Sequence, residues 1–139
     1  MREHNEKVIV IEIPMLPPKE ASPNWRGHWT ARYRAMEVYK TITILSARQR
    51  HPIQPITTAT IRTTLVVKDR RYRADPDNAI ASLKAAIDGI VAAGILTDDK
   101  YIKVLPVVFD IDKERAPMTI LEIEATTPIA REVRNYEST

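Results

Sequence analysis

The chain has 139 residues, 44% apolar and 28% charged, with a net charge of +3 and no cysteine. That length and balance fit one folded domain with one core and argue against disorder. Disulfides, thiolate metal sites and cysteine nucleophiles are excluded. No apolar run approaches the ~18 residues of a membrane span, and the opening MREHNEK has no signal-peptide character, so a cytoplasmic protein is expected.

In chain order, residues Lys7 to Ile13 (KVIVIEI) read as a first strand. Pro14, Pro17, Pro18 and Pro23 then forbid regular structure. A helix is predicted over about Thr30 to Gln49, with Met36, Tyr39, Ile42 and Leu45 at helical spacing and basic residues between them. Pro52 and Pro55 end it. Thr58 to Val67, rich in β-branched residues, reads as a second strand. Asp75-Pro76 is a favoured helix start, an N-cap aspartate before an N1 proline. The second helix runs to about Ala93, and Gly94 is its natural stop. Its apolar stripe is Ile80, Leu83, Ile87, Ile90 and Val91. Tyr101 to Asp110 is a third strand, in which Pro106 predicts a bulge or an edge. DIDKERAP reads as a hairpin turn, and Met118 to Ala125 as a fourth strand. The fold class is therefore α/β (α+β): a β-α-β-α-β-β order, a mixed sheet with helices packed against it. Residues 1–127 form the domain and 128–139 a polar tail.

The segment RRYRADPDNAIASLKAAID, residues 70–88, sets a cation cluster directly against an anion cluster. At about 100° per residue, Asp77, Lys84 and Asp88 fall within an arc of roughly 40°, and Asp75 stands at the helix mouth on the same flank. Asp98 and Asp99 begin the third strand; beside the second strand, either comes near Asp75 and Asp77. Hard divalent cations take oxygen ligands, and Mg²⁺ typically takes one or two carboxylates plus water and phosphate oxygens. Lys68, Arg70, Arg71 and Arg73 are suited to the flanking phosphates. Lys84 is suited to neutralising charge in a transition state. Each piece also has a plainer reading. Asp75 is a good N-cap, Lys84 and Asp88 have the spacing of a surface ion pair, and Asp98-Asp99 fits a turn. Upstream, Trp25, Arg26, His28 and Trp29 are either DNA contacts or aromatics that anchor the loop.

RADPDNAIASLKAAIDGIVAAGILTDD resembles the signature of the RusA family of Holliday-junction resolvases, including the RusA-like proteins of phages and prophages. The pattern is Asp-x-Asp-Asn, a helix carrying Lys and Asp, a Gly-containing turn, then Asp-Asp. SPNWRGHWTARYRAMEVYK is similar to the family's N-terminal segment, and the likeness covers roughly residues 8 to 125. The resemblance implies a homodimeric, Mg²⁺- or Mn²⁺-dependent endonuclease acting in DNA recombination and repair. Such an enzyme nicks two opposed strands of a four-way junction and leaves 5′-phosphate and 3′-hydroxyl ends. It implies Asp75, Asp77 and Asp99, with Asp98 beside it, as the metal-binding acids and Lys84 as the catalytic lysine. Asn78 would hold the helix mouth, with Asp88 in a supporting place. Arg26 and His28 join the basic residues as candidate DNA contacts. The family lysine follows the second aspartate by four residues; here Ala81 holds that place and Lys84 comes at seven, one turn on along the same face. The competing readings are a junction- or DNA-binding protein that does not cut, and another metal-dependent phosphoesterase acting on branched DNA or RNA.

Overall fold

The computed structural model describes residues 8–50, 55–69, 83–98 and 101–126. Strand β1 (Val8–Ile13) alternates as its sequence dictates: Ile11 and Ile13 are fully buried, and Glu12 between them is exposed. The prolines that follow produce a bent segment and one 3-10 turn, Lys19–Ala21. Arg32 fastens this segment: its Nε donates to the Glu20 carbonyl (2.9 Å) and its Nη2 to that of Ser22 (2.7 Å).

Helix α1 spans Trp29–Arg48. His28 caps it, Nδ1 accepting the Thr30 N–H at 3.2 Å, so the helix opens one residue before the predicted Thr30. The predicted stripe needs a correction. Tyr39 is fully buried and Met36 and Ile42 half-buried, but Leu45 is 54% exposed; the inward line is Tyr39, Thr43 and Ala47. The second helix explains the difference. Helix α2 (Lys84–Ala92) presents the small residues Ala85, Ala86 and Gly89, and α1 meets them with its own small residues. A Cβ on Gly89 would stand 3.0 Å from the Thr43 Cβ and 3.1 Å from the Lys40 carbonyl, so glycine sets the approach of the two helices.

The end of α2 follows the prediction. Gly94 has φ 86°, its N–H bonds the Val91 carbonyl (3.0 Å), and the Ile95 N–H bonds that of Ile90 (3.1 Å). This is a Schellman closure, which needs the left-handed conformation glycine adopts without a Cβ penalty. The predicted start at Asp75-Pro76 and the stripe residue Ile80 lie outside the described residues.

Strands β2 (Ala59–Val67), β3 (Ile102–Val104), β4 (Val108–Ile111) and β5 (Met118–Ala125) complete one mixed five-stranded sheet. β5 lies between β1 and β2 and is antiparallel to both. β3 and β4 run parallel to β2 on its other side, so β2, α2 and β3 form a β-α-β crossover. The predicted third strand is thus two pieces. Ile61 pairs with Val104 and Thr64 with Val108, so residues 62–63 of β2 face residues 105–107 across the break. One extra residue beside Pro106 makes this both the bulge and the edge that proline foretold. Beyond β4, Asp112 Oδ1 accepts the Glu114 N–H (2.9 Å), the aspartate-led turn expected there.

Ile11, Ile13, Ile61, Leu121 and Ile123 from the sheet share one core with Tyr39 and Ala47 of α1 and Ala85, Ala86 and Ile90 of α2. Tyr39 threads polar chemistry through it. Thr119 Oγ1 donates to the Met15 carbonyl (2.8 Å), so the Tyr39 hydroxyl must donate to Thr119 Oγ1 (2.8 Å). Burial pushes the Tyr39 hydroxyl well above the ordinary phenol range, and the Thr119 bond opposes this only in part.

Candidate metal and nucleic-acid site

The sequence motif maps onto the β2–α2–β3 crossover. β2 ends at Val67, and exposed Lys68 continues from that end. Lys84 opens α2 and Asp88 lies one turn on; their side chains form an ion pair, Nζ to Oδ1 3.4 Å, with both well exposed. Exposed Asp98 follows Leu96, which bridges Ile56, and precedes β3, whose Ile102 pairs with Ala59. Lys68 and Asp98 therefore stand at opposite ends of β2. Nine residues of strand separate those ends by about 30 Å, whereas the nine residues of α2 span about 13 Å.

Arg70, Arg71, Arg73, Asp75, Asp77, Asn78 and Asp99 lie outside the described residues. Among the described residues, no three histidine, aspartate or glutamate side chains come together as a metal-binding group. No described helix is long and apolar enough to cross a membrane. The third strand lies beside the second and parallel to it, which sets Asp98 at the start of β2 and not at the end that Lys68 follows.

The segment before α1 and the first turns of α1 divide their aromatic residues between two roles. Trp25 is half-buried, its ring folded over Gly27 where any Cβ would collide, so it anchors the loop. Trp29 is 70% exposed, and Tyr33, one turn on, is 60% exposed. The His28 ring sits beside that of Trp29, centroids 5.8 Å apart and planes tilted by 30°. His28 is thus occupied as a cap through Nδ1 and still exposed. Arg26 and Arg34 are exposed and carry no ion pair among the described residues. Tyr33 and Arg34 are absent from the sequence-based candidates; the signal that finds them is the i,i+4 spacing of Tyr33 from Trp29.

Comparison of the chain with protein-family models and with curated proteins gives no match.

Proposed function

We propose that this protein is a metal-dependent endonuclease that acts on branched DNA and resolves four-way junctions by paired nicks. The observation that carries the reading is the sequence motif Asp75-x-Asp77-Asn78, Lys84, Asp88, Gly94 and Asp98-Asp99, of which the described residues Lys84, Asp88, Gly94 and Asp98 follow β2 and precede β3 in one β-α-β crossover. The donor set is all carboxylate oxygen, which suits Mg²⁺ or Mn²⁺. Asp75, Asp77 and Asp99, with Asp98 beside the last, would hold the ion. When bound, it supplies charge stabilisation and a lower pKa for the attacking water.

The other groups of the chain do the positioning. Arg70, Arg71 and Arg73 would hold phosphates near the cut, Lys68 would hold the strand further off, at the other end of β2 from Asp98, and together they would give binding its salt dependence. Lys84 is a fixed cation on the exposed flank of α2, and its amine offsets negative charge as the phosphodiester is attacked. The resemblance would give Asn78 the part of steadying the start of the helix predicted from Asp75. Two opposed nicks need two sites, which a two-fold dimer supplies. A second reading, a junction-binding protein that does not cut, draws on the pairing of Lys84 with Asp88.

The test is a labelled four-way junction beside linear duplex, with Mg²⁺, with Mn²⁺ and with EDTA, for the wild type, Asp77→Asn and Lys84→Met. The proposal expects symmetric nicks that need metal and Asp77. It also expects Lys84→Met to lose most cutting while stability changes by less than about 1 kcal/mol, the worth of an exposed pair. Tight junction binding without cutting in either metal would establish the binding reading instead. Equal cutting of junction and duplex would rule out structure selectivity.

A further inference from the structure

We propose that Trp29 and Tyr33 form a stacking platform for an unpaired base of a DNA strand. This rests on the reading that DNA is the ligand, and adds to it a preference for nucleotides displaced from the duplex. On α1, Trp29, Tyr33 and Lys40 fall within an arc of roughly 40° at about 100° per residue. Lower on the helix that flank is covered by α2, where the Lys40 carbonyl and Thr43 meet Gly89. β1, β2 and β3 run one way, α1 leads from β1 back to the start of β2, and α2 leads from β2 back to the start of β3, so the two helices share a direction. Given that Thr43 meets Gly89, Trp29 and Tyr33 precede the level of the first described turn of α2.

They lie at the end of the sheet where β2 finishes and Lys68 follows, because Tyr39, further down α1, already bonds Thr119, which pairs with Ile13 and Leu65 near that end. The charge there complements a polyanion. Arg26 stands just before Trp29, Arg34 follows Tyr33 in the chain, Lys68 stands at the same end, and the first turn of α1 holds no acid. Glu37 is a turn below Tyr33, and Asp69 follows Lys68. The other acids at that end are Asp110, paired with Arg115 (3.8 Å), Asp112, taken up by its turn with Glu114, and Glu12 and Glu20, which the nearby Lys19, Arg32 and Lys113 offset in number. Two aromatic faces one turn apart, one leaning on the capping histidine, amid cations, are the elements that hold single-stranded nucleic acid. Every base has a face to offer them, so the platform reads strand state and not sequence.

The experiment measures anisotropy of a fluorescein-labelled oligothymidylate and of a duplex in EDTA, where nothing is cut. It is joined to tryptophan emission in a Trp25→Phe background, which leaves Trp29 as the only reporter. The expected result is quenching of Trp29 by the oligothymidylate and about tenfold weaker single-strand binding for Trp29→Ala. Trp29→Phe, which keeps an aromatic face, should stay within about threefold of the wild type. Duplex binding should be unchanged within about twofold. Equal losses on single strand and duplex, or no loss on either, would overturn the platform. So would a changed sedimentation coefficient of Trp29→Ala without DNA, since the aromatics would then serve contact between copies of the chain. Unaltered oligothymidylate binding by Trp29→Ala with junction cutting intact removes the platform and leaves the nuclease. Trp29-dependent binding with no cutting in either metal does the reverse.

Discussion

Among the described residues Tyr39 is the one fully buried phenol, and its hydroxyl is the first link of a chain that ends on the Met15 carbonyl. Replacing Tyr39 with Phe leaves Thr119 still donating, so the cost is a single bond, about 1 kcal/mol. Thr119→Val strands both the Tyr39 hydroxyl and the Met15 carbonyl and should cost about 2 kcal/mol, measured by urea unfolding. The same pair has a pH signature. The folded state holds Tyr39 protonated past 10.0, where an unfolded tyrosine ionises, so this contribution is complete below that pH and is lost as pH rises above it. Wild-type stability should therefore fall more steeply above pH 10.0 than that of Tyr39→Phe. Thr63 offers the opposite case: its Oγ1 is buried without a hydrogen-bond partner. Thr63→Val keeps the β-branched shape and removes the stranded hydroxyl, and a gain of about 1 kcal/mol is expected in the same assay.

The contact between α1 and α2 turns on the absence of a side chain. Gly89 lies against Thr43 and the Lys40 carbonyl. Gly89→Val would force the helices apart or twist rotamers, at about 1–3 kcal/mol, and adding Thr43→Ala should recover part of that loss in a double-mutant cycle. This contact also explains which elements were legible in the sequence. Strands betray themselves by alternation and β-branching, and the end of α2 by Gly94, because those signals are local. The inner face of α1 is not local. Leu45 outranks Thr43 and Ala47 in hydrophobicity, yet the neighbouring helix has room only for small side chains. Pro106 announced a disturbance; the count of residues facing each other across it emerges only from the register with β2.

For the whole molecule, what was legible was the content of the sheet and not its order. Nothing near Met118–Ala125 states that this strand will enter between β1 and β2; that follows from pairing over the length of the chain. The candidate site divides the same way. Its acids and bases are conspicuous as a motif, because charged residues at helix-face spacing can be counted. Their assembly is a matter of long-range placement, which a helix start such as Asp75-Pro76 does not state. Trp25 and Trp29 look alike in sequence and part company only once the fold covers one and leaves the other bare.

The central place of β5 has a consequence for how the protein is made. Among the described residues β1 pairs only with β5, so β1 waits for a strand more than a hundred residues downstream. At roughly 5–20 residues per second, β1 leaves the ribosome about 5–20 s before its partner does. Through that interval KVIVIEI is a bare β-forming stretch, guarded by the charges of Lys7 and Glu12. A chain stopped after residue 117 should show no cooperative thermal transition by circular dichroism, despite retaining both helices in its sequence. Ribosome-bound chains of graded length should acquire protease resistance in one late step, once 118–125 have emerged. Newborn copies are therefore most exposed to aggregation just before residues 118–125 emerge, and overexpression at lower temperature should raise the yield of folded protein.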